Sequence, residues 1–163
     1  MFNLIIATDD KYGIGKENKL PWKCSKDLEN FKKITENNIL IVGRKTWESM
    51  PQDKILKNRI VIVVSKTLKE SNNHKLYIKE NLEEALKYGK CIQMKNEIYV
   101  IGGKQLYDES ISHKDLKEVY YTRIYGNYES DVYVTKIEKI IKEWSIVSVD
   151  KYEGCEIIKY RNK

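Results

Sequence analysis

Long apolar runs, histidine and arginine are all scarce in this chain, and each scarcity removes a class of function. No hydrophobic stretch in the 163 residues approaches the roughly 20 needed to cross a bilayer as a helix. The opening MFNLIIATDD has no basic flank and turns acidic after a short apolar run, so a first strand is expected rather than a secretory leader. The two histidines, His74 and His113, sit in polar surroundings and cannot build a histidine-rich metal centre, so no metal is expected. Three cysteines, Cys24, Cys91 and Cys155, are an odd number without metal-ligand spacing. Reduced thiols in a cytoplasmic compartment are the expectation. No G-x-G-x-x-G or P-loop pattern occurs, which leaves a conventional Rossmann or kinase-like assignment unsupported. Neither repeats nor low-complexity tracts nor a linker divide the sequence, so residues 1–163 are expected to form one domain.

Charge is abundant but poorly organised. The formal net charge is +6 and the pI about 9.0, yet the cations are dispersed among 24 acids without a long block. A nucleic-acid-binding module would gather them on one face beside exposed aromatics. Neither nucleic acid nor a membrane is therefore an expected partner. Only four of the 30 cations are arginine: Arg44, Arg59, Arg123 and Arg161. Where lysine is the default, an arginine marks a position that needs a planar fork.

Short runs rich in Ile, Val and Tyr recur at 3–7, 39–43, 60–64, 75–78, 98–103, 119–124, 144–149 and 155–160. The near-continuous apolar ones suit strands covered on both faces. Helical segments are expected at about 25–36, 45–50, 82–93 and 104–111. Strands alternating with helices imply an α/β fold: a central, mostly parallel sheet of about eight strands, flanked by about four helices. The last two strands follow each other directly and imply an antiparallel hairpin at the C-terminal edge.

Ligands of such sheets bind beyond the carboxyl ends of strands. ILIVGRKTW passes through Gly43 into a helix, IVIVVSK ends in Ser65 and Lys66, and IYVIGGKQLY breaks at Gly102 and Gly103 before another helix. Glycine lets the backbone approach a ligand, and a helix N-terminus offers free N–H donors to an anion. With Arg44, Lys45 and Lys66 alongside, these ends suit a polyanion such as a dinucleotide. Each turn alone is equally ordinary loop chemistry. Asp27 poses a separate question, because it shares a helical face with Phe31 and Ile34. The helix by itself admits two readings. One is a first-turn acid gaining about 0.3–1 kcal/mol from orphan N–H groups and the helix dipole; the other is a functional carboxylate.

Taken together, GIGKENKLPWKCSKDLENFKK, VGRKTWESMP, LKNRIVIVVSK, VIGGKQLY and YYTRI followed by ESDVYV resemble the dihydrofolate reductase family in order and spacing over nearly the whole chain. The resemblance implies NADPH-dependent reduction of 7,8-dihydrofolate to tetrahydrofolate, with antifolates as inhibitors. A monomer is expected, either free-standing or as a domain of a thymidylate synthase fusion. Asp27 matches the acid that pairs with the pterin, with Trp22, Leu20 and Thr122 as its catalytic companions. Ile6 and Ile101 match backbone carbonyls at the pterin, Leu28, Phe31 and Met50 match the walls of the p-aminobenzoyl site, and Leu56 matches a further substrate contact. Arg59 matches the arginine that takes the glutamate α-carboxylate. Ala7, Ile14, Gly15, Gly43, Arg44, Lys45, Thr46, Ser65, Lys66, Gly102, Gly103, Lys104, Gln105 and Tyr107 match cofactor contacts, with the adenosine-binding part at about 38–106. Arg44 and Lys66, with Ser65, would favour the 2′-phosphate of NADPH, and Asp131 matches a loop acid that affects closure. Each residue also has a plain structural alternative: core for Trp22, Leu20, Leu28, Phe31 and Met50, a generic strand threonine for Thr122, and a strand-edge arginine for Arg59. Lys23-Cys24 departs from a pair that often includes proline.

Overall fold

Continuous runs of Ile, Val and Leu, as at 39–42 and 60–64, put apolar side chains on both faces of a strand, and the fold covers both faces there. The structure, a computed structural model, describes residues 1–16 and 20–163. In chain order its elements are β1 (Phe2–Thr8), β2 (Gly13–Gly15), α1 (Ser25–Thr35), β3 (Ile39–Gly43), α2 (Arg44–Glu48), α3 (Gln52–Leu56), β4 (Ile60–Val64) and β5 (Leu76–Lys79). They continue with α4 (Leu82–Ile92), β6 (Ile98–Val100), α5 (Lys104–Ile111), β7 (Leu116–Ile124), β8 (Val132–Tyr133), α6 (Ile137–Glu143), β9 (Ser145–Tyr152) and β10 (Cys155–Arg161).

Eight strands form one sheet in the order β5-β4-β3-β6-β1-β7-β10-β9, and β2 pairs with β8 in a separate ribbon. From β5 to β7 every pairing is parallel, whereas β10 runs antiparallel to both β7 and β9. The expected mixed sheet with a C-terminal hairpin is thus found. Alternate residues of each strand face opposite layers. Leu4, Ile6, Ile41, Ile62 and Val100 pack with Leu86 of α4, Leu106 of α5 and Ile140 of α6. Ile5, Leu40, Val42, Val63 and Ile101 pack with Phe31 of α1, Trp47 of α2 and Ile55 of α3.

Helix number is corrected, since the described residues hold six helices rather than about four. The additional α3 and α6 span five and seven residues. Ile137 and Ile140 of α6 are wholly buried, so their i,i+3 spacing was the available signal. β6 stops at Val100, which leaves Gly102 and Gly103 in the turn, and β7 begins at Leu116. Residues 17–19, within the GIGKENKLPW stretch, lie outside the described residues. Among the described residues, no helix is long and apolar enough to cross a membrane.

Candidate active site

The site begins where the sheet parts. β1 and β6 are paired at Asn3↔Tyr99 and Leu4↔Val100 only, while β1 stays paired with β7 as far as Thr8↔Arg123. Beyond Leu4 the carboxyl ends of β1 and β6 therefore diverge, and polar backbone in the gap needs other partners. Tyr107 of α5 reaches through from the opposite layer, its hydroxyl facing the Ile5 carbonyl at 2.9 Å and the Ile101 carbonyl at 2.8 Å. Burial, and then the nearby Asp27 charge, hold its phenol above the ordinary range. The carbonyl that Tyr107 joins to that of Ile101 is that of Ile5, while Ile6, the expected carbonyl partner, sends its side chain into the other layer. Tyr107 braces the gap between the strands.

α1 supplies one wall. Cys24 takes the N-cap position without a side-chain cap bond, and Asp27 stands in the first turn. The Asp27 carboxyl pKa is raised by burial, an effect partly offset by the hydrogen bond that the Thr122 hydroxyl donates. Thr122 belongs to β7, pairs with Ala7 of β1 and is buried. Asp27 and Thr122, 95 residues apart by number, thus meet over the parted strands. Trp22 is buried beside Ile124 and edge-on to Tyr128, with its indole Nε1–H directed to no protein acceptor among the described residues. A buried N–H without a partner is rare and costs stability, so it marks a donor available to a ligand or water. Phe31, Met50 and Leu56 pack on one cluster with Ile5 and Ile101. Leu28 and Leu20 are 54% and 63% exposed, so they stand at the rim and not in the core.

Arg59 closes the far end of that wall. Although arginine is seldom buried, its side chain is fastened by three bonds: Nε to the Thr35 hydroxyl at 2.9 Å, Nη1 to Asn58 Oδ1 at 2.6 Å and Nη2 to the Lys32 carbonyl at 3.1 Å. Thr35 in turn donates to the Phe31 carbonyl. Burial lowers the guanidinium pKa and Glu36 offsets part of that. A guanidinium has five N–H groups, so the fork is oriented by the C-terminal turn of α1 while N–H capacity remains for a carboxylate. Thr35 and Asn58 were missed from sequence. An ordinary helix-end threonine and a loop asparagine carry no motif signal.

Two glycine turns lie side by side because β3 and β6 are neighbours. Gly43 N–H donates to the Gly102 carbonyl at 2.8 Å. A Cβ on Gly43 would come within 3.5 Å of the Gly103 nitrogen, and one on Gly103 within 3.1 Å of Thr46 Oγ1. Gly102 has a φ of +123°, open to glycine alone at low cost. From these turns spring α2 and α5, both without a side-chain cap among the described residues, so first-turn N–H groups stand ready for an anion. Gly43 lies opposite Val64 in register, which brings Arg44 and Lys45 next to Ser65 and Lys66. Uncapped amides, a glycine cradle and exposed cations fit a phosphorylated dinucleotide. Several of the candidates also bind within the protein. Arg44 pairs with Glu48, Ser65 Oγ accepts from the Thr67 and Leu68 amides, Lys104 binds Asp108 and the Tyr133 carbonyl, and Gln105 binds Glu109. Lys104 and Gln105 thus point along α5 and are not gathered into the cradle.

The loop bearing Ile14 and Gly15 is tied to the loop after β7. The Asp131 amide donates to the Gly15 carbonyl, and β2 pairs with β8. Asp9, wholly buried and absent from the expected set, accepts from the Lys11, Gly13 and Tyr128 amides and from the Ser130 hydroxyl. Its sequence signal was an acid placed directly after an apolar strand.

Comparison with known proteins bears on this geometry. A family model described as dihydrofolate reductase matches residues 1–162. A dihydrofolate reductase of Pneumocystis carinii is 36% identical over 162 residues, covering 88% of this chain and 78% of that protein. A dihydrofolate reductase of Sus scrofa is 32% identical, with 98% and 94% covered. A bifunctional dihydrofolate reductase-thymidylate synthase of Paramecium tetraurelia is 40% identical over 135 residues, 83% of this chain but 28% of that protein.

Proposed function

The chain belongs to the dihydrofolate reductase family and is an enzyme reducing dihydrofolate to tetrahydrofolate, and we propose that it takes its electrons from NADPH, with Asp27 holding the pterin. The family uses a nicotinamide cofactor, and the choice of NADPH over NADH is supported by Arg44 and Lys66 standing at adjacent strand ends. Bound NADPH would supply the hydride to carbon 6 of the pterin. The observation that carries the reading is the carboxylate of Asp27, set on the apolar side of α1, raised in pKa by burial and bonded by Thr122.

In this reading the Asp27 carboxylate accepts from the 2-amino group and the adjacent ring nitrogen of the pterin. Such bidentate, charge-assisted bonds are about twice as strong as neutral ones. Thr122 fixes the carboxylate's orientation, and the free Trp22 N–H holds a water that relays a proton to nitrogen 5. Phe31, Met50 and Leu56 exclude solvent along the p-aminobenzoyl ring, with Leu28 and Leu20 at the rim. Arg59 receives the α-carboxylate of the glutamate tail. The chain's contribution is position, electrostatics and exclusion of water, while the redox chemistry is the cofactor's. We assign residues of about 38–106, which contain both α2 and the glycine turns, to the adenosine half of the cofactor. We also place the enzyme in a reducing, cytoplasmic compartment, in keeping with its three free thiols.

The test is loss of NADPH absorbance on adding dihydrofolate to the purified chain, with NADH and a pyrimidine substrate as controls. Rapid loss with NADPH and slow loss with NADH is the expected result. Equal rates with both cofactors would remove the assigned role of Arg44 and Lys66, and no turnover of dihydrofolate would overturn the assignment of Asp27.

A further inference from the structure

Two of the three cysteines meet across the fold. Cys24 Sγ lies 3.3 Å from Cys155 Sγ although 131 residues separate them. Cys24 is the N-cap of α1, two residues after Trp22 and three before Asp27. Cys155 opens β10 opposite Ile124 of β7, two residues beyond Thr122. The pair packs in one small cluster with Trp22, Ile124 and Ala7, apart from the larger cores. Cys91 is exposed on α4. A disulfide has a sulfur–sulfur distance of about 2.05 Å, so the two atoms need to close by about 1.3 Å. A change of that size is what rotation about a cysteine χ1 produces.

We propose that Cys24 and Cys155 form a reversible thiol–disulfide site that ties the start of α1 to β10 and so restrains the segment carrying Trp22. The entry point is Cys24, which is half-buried, because Cys155 is wholly enclosed. Burial, and then Cys24 and the Asp27 charge, push the Cys155 thiol up to about 12, so it is the poorer first nucleophile. The oxidant is a low-molecular-weight disulfide of the glutathione class. The Cys24 thiolate attacks one of its sulfurs, the S–S bond breaks and one glutathione leaves as thiol. Cys155 then gives up its proton and attacks the Cys24 sulfur, expelling the second glutathione. Two protein thiols are oxidised, one external disulfide is reduced to two thiols, and no other reactant is needed.

Cross-linking these positions closes a loop of more than a hundred residues, the regime in which a disulfide most constrains the unfolded chain. It also fixes the segment from Trp22 to Cys24 beside Asp27, and segment motions of this sort set turnover in many enzymes. The turnover readout rests on the function proposed above, whereas the mass and melting readouts do not, so the two can fail separately.

The experiment uses the full chain carrying Cys91→Ser, equilibrated with mixtures of reduced and oxidised glutathione. The expected oxidised form has lost two hydrogens by intact mass, yields a Cys24–Cys155 cross-linked peptide, melts at least ~5 °C higher and turns over about threefold or more slowly. Dithiothreitol reverses all of these. A Cys24→Ser variant of that chain should match the reduced enzyme and ignore oxidised glutathione. A product that retains glutathione at Cys24, an unmodified chain, or a cross-linked form with unaltered melting would each overturn the proposal.

Discussion

Asp27 is a residue the fold would be better off without. A carboxyl whose folded pKa lies above its ordinary 3.8 contributes stability that is fully present below the unfolded value and is lost as pH rises through the folded one. At neutral pH the charged group is therefore a burden that ligand binding, not folding, makes use of. Asp27→Asn should melt above the wild type at pH 7 when free of ligand, and the difference should vanish below about pH 4. The same substitution should cut turnover about 10²–10⁴-fold, with partial recovery in acid, where the pterin arrives protonated. Paired melting and pH–rate curves check both, and near-native turnover at pH 7 would sink the role. Arg59 is the converse case, a cation fastened by Thr35, Asn58 and Lys32. Arg59→Lys keeps the charge and loses the fork. KM for dihydrofolate should rise about 10–100-fold, the equivalent of ~1.5–3 kcal/mol for a charged hydrogen bond, with NADPH affinity little changed. An inhibitor lacking the glutamate tail is the control: equal weakening of tailed and tail-less inhibitors would assign Arg59 to holding α1. Both residues were legible because a charge in an apolar pattern, and an arginine in a lysine-rich chain, are exceptions. Ile5 was not. β1 is apolar on both faces, so no alternation distinguishes one residue from the next.

Strand ends and loops act as units larger than their residues. Arg44 begins α2 and Lys66 follows β4, neighbours through the β3–β4 register. Removing both should weaken NADPH far more than NADH, because only NADPH carries a 2′-phosphate. The preference should fade as salt rises, since exposed charges are screened within about 10 Å at 0.1 M. Titrations at two ionic strengths decide this, and equal losses for the two cofactors would relegate the pair to structure. Asp9 joins two loops through four bonds, and Asp9→Ala would leave those donors buried and unmatched. A loss of about 2–4 kcal/mol is expected in urea denaturation, with hydrogen exchange faster at Gly13 and Tyr128 than at Leu40. Uniform exchange would show that Asp9 supports the whole molecule instead of the latch. These loop elements were hard to read from sequence. β2 and β8 contribute three and two residues, too few for a period to emerge. α3 is a five-residue helix opened by Pro51, in which the polar run Gln52, Asp53 and Lys54 masks its one buried side chain, Ile55.

At the scale of the molecule, all eight strands of the main sheet were legible as short runs rich in Ile, Val and Tyr, although strands such as β1 and β3 are covered on both faces while β9 is exposed along its whole length. The contacts that complete the site join residues about a hundred positions apart, as with Tyr107 and Ile5 or Asp9 and Ser130, and no local pattern encodes them. The order of strands has one more consequence. β1 and β10 flank β7, and Asn3 and Arg161 are both in register with Glu118, which also holds the Arg161 guanidinium. The first and last strands thus meet one neighbour at the same level, separated by two strand spacings of about 4.8 Å each. A short glycine-rich bridge between residues 163 and 1 would span that gap, and the exposed loop at 69–72 offers a place to reopen the chain. Such a circular permutant should refold and retain dihydrofolate reduction within about tenfold, as assay after refolding from urea would reveal. The site depends on which strands are neighbours, and the polypeptide could visit them starting from another point on the same circuit.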